Sequence, residues 1–306
     1  MASTITELFG YDPNDRSKAA VSARRNLRCP FLGAPCTKTL SDGTVSGVCT
    51  IKPATSAPVV CCPNRLYADR YRILRDIAVD AFGAKARLVP GAQAIEEIEG
   101  DGNKIAVFGK RWGGELHLPA RGGKGSYFVD WILARISPKN DLAEFVAIEV
   151  QSIDTTGNYR AERDAYMRDK TPLRGSTANL NWENVSKRIL PQLITKGHIL
   201  RREPLCQKGL FFVCPTPVYE HIKDRLGGSL EEYHPHAGSL TMRWYTIDNK
   251  SNAGTPRGLV FEGQFTTTTD QVAKALTLPE SLPPQRVYEN AIRAELGLAR
   301  VRSSSK

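Results

Sequence analysis

Two apolar segments near the middle of the chain alternate in a way that predicts neighbouring β-strands. Residues 127–135 (YFVDWILAR) and 144–151 (EFVAIEVQ) are rich in β-branched and aromatic side chains, and the short link between them contains serine, proline, asparagine and aspartate. Because side chains alternate between the two faces of a strand, Glu149 and Gln151 share one face, and Asp130 is expected to face them from the neighbouring strand. The pattern therefore places two acids and an amide side by side among apolar residues.

Hydrophobic periodicity predicts further elements on both sides of these strands. A helix is expected over residues 66–82, stopped by Gly83, and it should connect an N-terminal segment to the main domain. Helical periodicity recurs over residues 181–196, where Pro191 interrupts it. The remaining predicted elements are strands over 104–108, 240–247 and 258–265, a helix capped by Thr216 and Pro217 that runs to 226, and a helix capped by Thr269 and Asp270 that runs to 276.

The two acids indicate a bound cation. An ionised carboxylate among apolar neighbours is stable only when it is paired, hydrogen-bonded or bound to a metal ion. Magnesium is the natural candidate for Asp130 and Glu149, because it takes one or two carboxylates and keeps several waters, and phosphodiester hydrolysis is its usual chemistry. Two salt-bridged structural acids fit the same pattern, so both interpretations stay open on these segments alone.

Composition and charge narrow the class of protein. The chain has 306 residues, of which 41% are hydrophobic, and this length allows one large domain or two smaller ones. No apolar run approaches the roughly 20 residues that cross a bilayer, and the N-terminus lacks the basic start and apolar core of a signal peptide. A soluble cytosolic protein without a membrane partner is expected. The formal net charge of +10 fits a polyanionic partner, since clustered basic residues release counterions from phosphates.

Five of the seven cysteines fall within one short segment: Cys29, Cys36, Cys49, Cys61 and Cys62. In a reducing cytosol, metal thiolates explain such a cluster better than disulfides. The spacing lacks the close C-x2-C pairs of ordinary zinc knuckles, so the pattern leaves a four-cysteine site and plain thiols both open. The segment is rich in proline and glycine, and a bound metal would supply the folding energy that its small core lacks. Cys206 and Cys214 are expected to be core residues.

Four short motifs in the cysteine segment carry a specific likeness: Cys29-Pro-Phe31, Cys36 with Lys38, Gly47-Val-Cys49 and Cys62-Pro-Asn-Arg65. They resemble the N-terminal metal fold of the NotI-type restriction endonucleases, and the chain length is closer to the shorter EagI-like members of that family. The resemblance implies that Cys29, Cys36, Cys49 and Cys62 bind one metal ion, and it leaves Cys61 as a spare thiol or core residue. The family's metal is iron, and zinc is the alternative because all-thiolate sites accept either.

The likeness continues through the predicted strands. Asp130-Trp131, Glu149-x-Gln151 and Asn184-Val185 resemble the nuclease core of the same family in order and approximate spacing. The fold implied is of the α/β (α+β) class, with a PD-(D/E)xK restriction-endonuclease-like core in residues 71–306. A loop-rich four-cysteine module that contacts DNA would occupy residues 1–70.

The resemblance also assigns roles to the site residues. Asp130 and Glu149 would hold one or two magnesium ions against the scissile phosphate. Gln151 stands where the wider superfamily has lysine, and Val129 stands where it has proline. Because an amide cannot act as a cationic acid near neutral pH, Gln151 would orient the attacking water.

The activity implied is that of a type II restriction endonuclease in the bacterial cytoplasm. It would hydrolyse double-stranded DNA at a G+C-rich palindrome with a GGCC centre, leave 5′-phosphates, act as a homodimer and accompany a DNA methyltransferase. Arginine is the expected reader of guanine, and the candidates are Arg160, Arg163, Arg168 and Arg174. Two alternatives stay open. One is a repair or mobile-element endonuclease, and the other is a noncatalytic four-cysteine DNA-binding regulator in which the acids are structural.

Overall fold

The computed structural model describes residues 3–54, 56–95, 102–119, 126–172, 176–248, 250, 252–278 and 285–299. The strands are β1 (Thr4–Leu8), β2 (Arg28–Cys29), β3 (Ala34–Pro35), β4 (Val48–Lys52), β5 (Val59–Val60), β6 (Arg87–Pro90), β7 (Lys104–Gly109), β8 (His117–Pro119), β9 (Ser126–Phe128), β10 (Trp131–Ile136), β11 (Leu142–Val150), β12 (Thr155–Thr156), β13 (Asn179–Leu180), β14 (Leu210–Pro215), β15 (Ser239–Ile247) and β16 (Leu259–Thr268).

The α-helices of the described residues are α1 (Lys18–Arg25), α2 (Ala68–Phe82), α3 (Arg160–Met167), α4 (Leu190–Leu200), α5 (Thr216–Leu226), α6 (Thr269–Thr277) and α7 (Val287–Glu295). Short 3-10 turns occupy Pro63–Tyr67 and Gly91–Ala94, and one π-helical turn occupies Val185–Ile189. None of the helices in the described part of the chain is long and apolar enough to cross a membrane.

A seven-stranded mixed sheet forms the centre of the fold, in the order β16-β15-β14-β11-β10-β7-β6. The pairs β11–β14, β14–β15 and β6–β7 are parallel, and the other neighbours are antiparallel. Strand β14 reads Leu-Phe-Phe-Val-Cys-Pro and is buried throughout. A strand without polar alternation needs cover on both faces, which explains its position inside the sheet beside β11.

Helices cover both faces of this sheet, and the alternation of β11 decides which side chain meets which layer. Ile148 and its neighbours Val146 and Val150 share an apolar cluster with Leu74 of α2. Ala147 belongs to the cluster on the opposite face, together with Leu193 of α4. The predicted two-residue alternation of this strand is confirmed. Glu149, which follows the same alternation as Ala147, therefore points toward the α4 side.

The predicted strand over residues 127–135 is wrong in one respect, because Val129 and Asp130 interrupt it. The first part is β9, which pairs with β8, whereas the second part is β10 of the central sheet. The Asp130 carboxylate accepts the Val150 N–H at 2.8 Å. A side chain thus takes the backbone donor that a continued strand would have paired, and Asp130 sits directly before β10 instead of within a strand.

Most other predicted elements are present with shifted ends. Pro191 lies within one helical stretch over residues 183–200 and follows the π-helical turn Val185–Ile189, so the predicted interruption is present as a change of helix type at the start of α4. The N-cap of α5 is Pro215, and Thr216 makes no capping bond; Thr268 in place of Thr269 caps α6. Helix α2 stops at Gly83, which has a φ of 100°, as expected.

The N-terminal part of the chain forms a small sheet, β1-β4-β5, and a hairpin of β2 and β3. Its apolar side chains are not separate from the main core: Cys29, Cys49 and Val60 belong to the same cluster as Ile73 of α2 and Ile148 of β11. The division at residues 70 and 71 stays a prediction about chain organisation. In the described residues, the two sides of it share one core.

A buried ion pair holds this N-terminal part together. Arg65 Nε and Nη2 bond to the two carboxylate oxygens of Glu7 at 2.9 and 3.0 Å, and both side chains are 0% exposed. Thr50 donates to the same carboxylate, and the guanidinium lies 4.6 Å from the Phe31 ring. Arg65 Nη2 also donates to the Arg257 carbonyl at 2.8 Å, just before β16. One guanidinium therefore joins β1, β4 and the main sheet.

Replacing Arg65 by Leu is expected to destabilise the protein by about 3–5 kcal/mol, because Glu7 would be left as an unpaired buried charge. The double variant Arg65→Leu, Glu7→Leu should lose less than the two single variants combined. Urea unfolding followed by circular dichroism measures both. As a control, Lys187→Gln removes one partner of an exposed pair and should not move the midpoint. Additive losses in the double variant would contradict the pair's role.

Candidate functional site

Strands β10 and β11 bring the two predicted acids together. Trp131 pairs with Ile148 in an antiparallel register, so the residues that follow outward from this pair, Asp130 and Glu149, are cross-strand neighbours. The Val150 N–H fixes the Asp130 carboxylate. Asp130 was expected to face Glu149 from the neighbouring strand; it lies beside Glu149, but from the residue directly before β10 and not from within a strand.

Glu149 is buried, and each of its carboxylate oxygens has a partner. Gln151 Nε2 donates to Oε1 at 3.0 Å, while Lys196 Nζ of α4 lies 2.6 Å from Oε2. Gln151 follows the end of β11, and its backbone N–H donates to the Val213 carbonyl of β14 at 3.0 Å. The structure thus gathers the three residues singled out from the sequence, and it adds a lysine to them.

Nearby positive charge would stabilise the ionised forms of Asp130 and Glu149. Burial raises the pKa of the Asp130 carboxyl well above its ordinary value, and the negative charge of Glu149 raises it further. The Val150 N–H and the Lys196 ammonium lower the pKa of Asp130, and Glu115 raises it as a more distant acid. An additional cation between the carboxylates would favour their ionised forms. Two oxygen ligands from protein and several waters are a typical magnesium set.

An open cleft of about 560 Å³ lies beside the acids. Glu149 and Gln151 form part of its wall, and the π-helical turn and α4 form the opposite part. The side chains from that opposite part are Lys187, Arg188, Pro191, Gln192, Thr195 and Lys196. Three of these carry positive charge, so the cleft can receive an anionic chain next to the carboxylates.

An aromatic cluster connects the acids to the cysteine segment. Trp131 Nε1 donates to Tyr67 Oη at 3.2 Å, and the rings of Tyr67 and Tyr71 lie 5.5 and 5.3 Å from the Trp131 ring. Burial raises the pKa of Tyr67, and the charges of Asp130 and Glu149 raise it further. Tyr67 follows the Cys62-Pro-Asn-Arg65 motif by two residues, so that motif and the acids rest on the same packed rings.

The four cysteines assigned to a metal ion lie near one another in the fold. Electrostatic coupling links Cys29 to Cys36, Cys36 to Cys62, Cys62 to Cys49 and Cys49 to Cys29, which closes a ring. Burial raises the pKa of the Cys29, Cys49 and Cys62 thiols, and the neighbouring thiols raise it further. Backbone N–H groups of Leu32 and Phe31 oppose the shift at Cys29. Donors aimed at sulfur suit thiolates, and so does a shared metal ion.

The side chains do not yet form a finished metal site. All seven cysteines are free thiols, and among the described residues no three His, Cys, Asp or Glu side chains are arranged to hold an ion. The ring of four thiols fits a tetrahedral ion in donor type and number, provided that side chains rotate toward a common centre.

Cys61 also couples to Cys62, more strongly than Cys36 does, but its closest polar contact is with a lysine. Its Sγ lies 3.3 Å from Lys38 Nζ, and the same ammonium donates to the Cys61 and Val48 carbonyls. Burial alone would lower the pKa of Lys38, but the charges of Cys61, Tyr159 and Cys62 raise it. Cys61 packs in the apolar cluster of the α4 face. Cys206 and Cys214 are fully buried, as expected of core residues.

A family model described as restriction endonuclease NotI matches residues 15–256 of the 306. The chain belongs to the NotI restriction endonuclease family. It is accordingly an enzyme, a site-specific deoxyribonuclease, and its substrate is DNA. No curated protein gives a significant match. The matched part of the chain contains the four cysteines, both acids, Gln151 and the whole of α4, whereas α6 and α7 lie beyond it.

The arginines after β11 were predicted to contact DNA bases. They differ in burial and in the groups that they contact. Arg163 is buried, and it donates to the Ser46 and Val45 carbonyls, so it fixes a loop of the cysteine segment. Arg160 is half-buried and pairs with Asp42 at 2.7 Å. Arg168 is exposed at the end of α3, and Arg174 lies outside the described residues.

Two charged neighbours of the NotI-family site were not identified from the sequence. Lys196 is the last residue of the helix predicted over residues 181–196, and nothing in that periodicity shows that it reaches Glu149. Glu115 precedes β8 in a segment without a regular pattern. The signal for Lys196 lies in tertiary packing, because α4 contacts α6 and the sheet near β14.

Gly109→Ala is expected to misplace the acid pair. A Cβ at this position would lie 2.2 Å from the Trp131 ring and 2.8 Å from the Asp130 carbonyl oxygen, so the β7–β10 contact would have to open. The variant should lose about 1–3 kcal/mol of stability and at least tenfold in DNA cleavage. Urea unfolding and a single-turnover cleavage assay measure these effects.

Gly114→Ala serves as the control for Gly109→Ala, since a Cβ there meets nothing within 4 Å although its φ of 88° adds modest strain. Its loss of cleavage should be clearly smaller. Normal cleavage by Gly109→Ala would show that Asp130 tolerates the displacement or takes no part in the reaction.

Proposed function

We propose that this deoxyribonuclease is a type II restriction endonuclease that needs magnesium and cuts both strands of a G+C-rich palindrome with a GGCC centre. The observation that carries the proposal is a buried acid, Glu149, beside a half-buried one, Asp130. Asp130 and Glu149 are cross-strand neighbours, and their burial and repulsion raise the pKa of Asp130. A hard divalent ion relieves such repulsion by taking oxygen ligands from both carboxylates.

Each residue of the site has a distinct task in hydrolysis. Asp130 and Glu149 hold one or two magnesium ions beside the scissile phosphate, and magnesium, when bound, neutralises phosphate charge and lowers the pKa of the attacking water. Gln151 orients that water, because its amide offers a donor and an acceptor but no acidic proton. The water oxygen bonds to phosphorus and gives up a proton, while the bond to the 3′ oxygen breaks and that oxygen gains a proton. The products are a 5′-phosphate and a 3′-hydroxyl.

The cleft beside the acids is the proposed path of the DNA backbone. Lys187 and Arg188 line it, and Arg188 is held 3.4 Å from Asp154. Basic side chains in such a cleft gain affinity by releasing counterions from phosphates. A homodimer with its two-fold axis on the palindrome is the economical way to cut both strands. A companion DNA methyltransferase would protect the same sites in the host genome.

We also propose that Cys29, Cys36, Cys49 and Cys62 bind a structural iron or zinc ion. Support comes from the ring of electrostatic couplings among these four thiols and from the N–H donors directed at Cys29. The metal would stabilise a segment whose strands are short and whose own core is small. Through Tyr67 and Trp131, the same segment supports the acids.

The proposed activity is tested by digestion of bacteriophage and plasmid DNA, once with magnesium and once with calcium. Discrete fragments only in magnesium, with 5′-phosphate ends at one sequence, are the expected result. Glu149→Ala should lower the cleavage rate roughly a thousandfold or more, while DNA binding in calcium stays measurable. Glu262→Ala, an exposed acid on β16, is the matched control and should cleave normally.

Other outcomes of the digestion would overturn the proposal. Fragments without defined ends would indicate an endonuclease specific for DNA structure. Intact DNA with tight binding in both ions would indicate a DNA-binding regulator. Full cleavage by Glu149→Ala would remove the acid pair from the mechanism.

Cys49→Ser is expected to lose the metal ion of the cysteine segment. The purified wild-type chain should contain one iron or zinc per chain, measured by mass spectrometry of the elements, and the variant should contain well under half of that. Cys61→Ser is the control, because Cys61 is also buried and directly precedes a proposed ligand. Equal metal content in wild type and Cys49→Ser would refute the four-ligand set, and metal loss in Cys61→Ser would revise it.

A further inference from the structure

The acid pair has a positively charged partner from a distant part of the chain. Lys196 Nζ lies 2.6 Å from Glu149 Oε2, and the two side chains are 15% and 4% exposed. The ammonium also acts on Asp130, whose pKa it lowers. Among the described residues, no other ion pair contains either acid. Exposed pairs contribute little, but a pair buried to this degree fixes both groups.

The fold holds Lys196 at this place through α4. Lys196 lies in the second turn of α4, which continues directly from the π-helical turn Val185–Ile189. Gly197 permits a close approach of α4 to α6, since a Cβ there would lie 2.0 Å from Thr269 Cγ2. Lys196 consequently projects from a packed helix into the wall of the cleft, beside Gln192 and Thr195. The ammonium and the Glu149 carboxylate both line the cleft that an anionic chain would enter.

Counting charges shows what this ammonium adds. Asp130 and Glu149 together carry two negative charges when ionised, and one divalent ion would only cancel them. With Lys196 included, the loaded site keeps one net positive charge. A phosphodiester carries one negative charge, and its transition state concentrates more charge on the phosphoryl oxygens. Gln151 cannot supply the missing charge, because its amide is neutral.

We propose that Lys196 is a catalytic residue that contacts a non-bridging oxygen of the scissile phosphate and stabilises the negative charge that develops there. The proposal rests on the proposed nuclease function and adds to it a residue outside the β11 motif. Lys196 acts as a fixed positive charge throughout, and the proton transfers involve water and the 3′ oxygen alone. The ammonium exchanges part of its contact with Glu149 for the phosphate when DNA fills the cleft.

Lys196→Gln is expected to lower the single-turnover cleavage rate in saturating magnesium by about 100- to 1000-fold. DNA affinity in calcium should fall by less than about tenfold, because one phosphate contact contributes little to the total. Lys196→Arg keeps the charge and should retain at least ten times the rate of Lys196→Gln. Lys274→Gln removes the same charge from an exposed position of α6 and is the matched control, with wild-type cleavage expected.

The affinity for calcium, measured without DNA, distinguishes a catalytic role of Lys196 from a purely structural one. An ammonium 2.6 Å from Glu149 opposes a divalent ion, so Lys196→Gln should bind calcium at least threefold more tightly in calorimetry while cleaving more slowly. If Lys196 merely held Glu149 in place, both calcium affinity and cleavage would fall together. A fall in both overturns the proposal.

Moving the charge within the site gives a second, independent test. Gln151 Nε2 and Lys196 Nζ contact the two oxygens of one carboxylate, so a lysine at position 151 can place an ammonium on the same group. Gln151→Lys combined with Lys196→Gln should cleave at least ten times faster than Lys196→Gln alone. This comparison also applies when Lys196→Gln folds less stably, because thermal melting of both variants identifies a folding defect.

The remaining outcomes are also decisive. Cleavage by Lys196→Gln within threefold of wild type overturns the role of Lys196 and leaves the proposed nuclease intact, provided that Glu149→Ala is inactive. Equal losses of cleavage and of DNA binding in calcium would make Lys196 a DNA anchor and overturn the catalytic role. If the wild-type protein cleaves no DNA, or if Glu149→Ala cleaves normally, the proposed function itself fails and Lys196 loses its role with it.

Discussion

The repulsion between the neighbouring carboxylates of Asp130 and Glu149 is the constraint that governs the structure around them. Placing the half-buried Asp130 next to the buried Glu149 is unfavourable unless nearby groups compensate their charge. The Val150 N–H, the Gln151 amide and the Lys196 ammonium each contribute part of that compensation. They come from the end of β11 and from α4, so the sheet and the helix layer must both be in place before the acids are tolerated. A folding nucleus that lacked α4 would leave Glu149 without its ammonium.

The same requirement explains why the cysteine segment is joined so firmly to the nuclease core. Trp131 directly follows Asp130 in the sequence. Its indole N–H donates to the hydroxyl of Tyr67, which is the last residue of the turn that follows Cys62. Arg65 lies within that turn and ties β1 to the start of β16 through its bonds to Glu7 and Arg257. A shift of the segment would therefore move the support of the acid pair. The segment that holds the four cysteines is on this account part of the scaffold of the site.

Much of the centre of the fold could be predicted from the sequence, because a strand repeats every two residues and the neighbours of Glu149 keep that period without exception. The break before β10 was missed, since it depends on the Asp130 carboxylate taking the Val150 N–H from a residue twenty positions away. Local pattern does not contain such a contact. Arg163 was a candidate for contact with DNA because of its charge. In the structure its guanidinium donates instead to carbonyls of the cysteine segment. Net charge indicates a polyanionic partner without identifying which basic residues are free to meet it.

The position of Lys196 bears on how a nuclease site can depart from a sequence motif. A motif specifies residues that are close together in the sequence. The stabilisation of a phosphate depends instead on the position of the positive charge in the folded protein. Gln151 and Lys196 meet the same carboxylate from opposite sides, one from the end of β11 and one from α4. A neutral amide on the strand is therefore compatible with a cationic site when a helix supplies the charge. The close packing of α4 against α6 at Gly197 and Thr269 therefore helps to position the residue directly before Gly197, which is Lys196, beside Glu149.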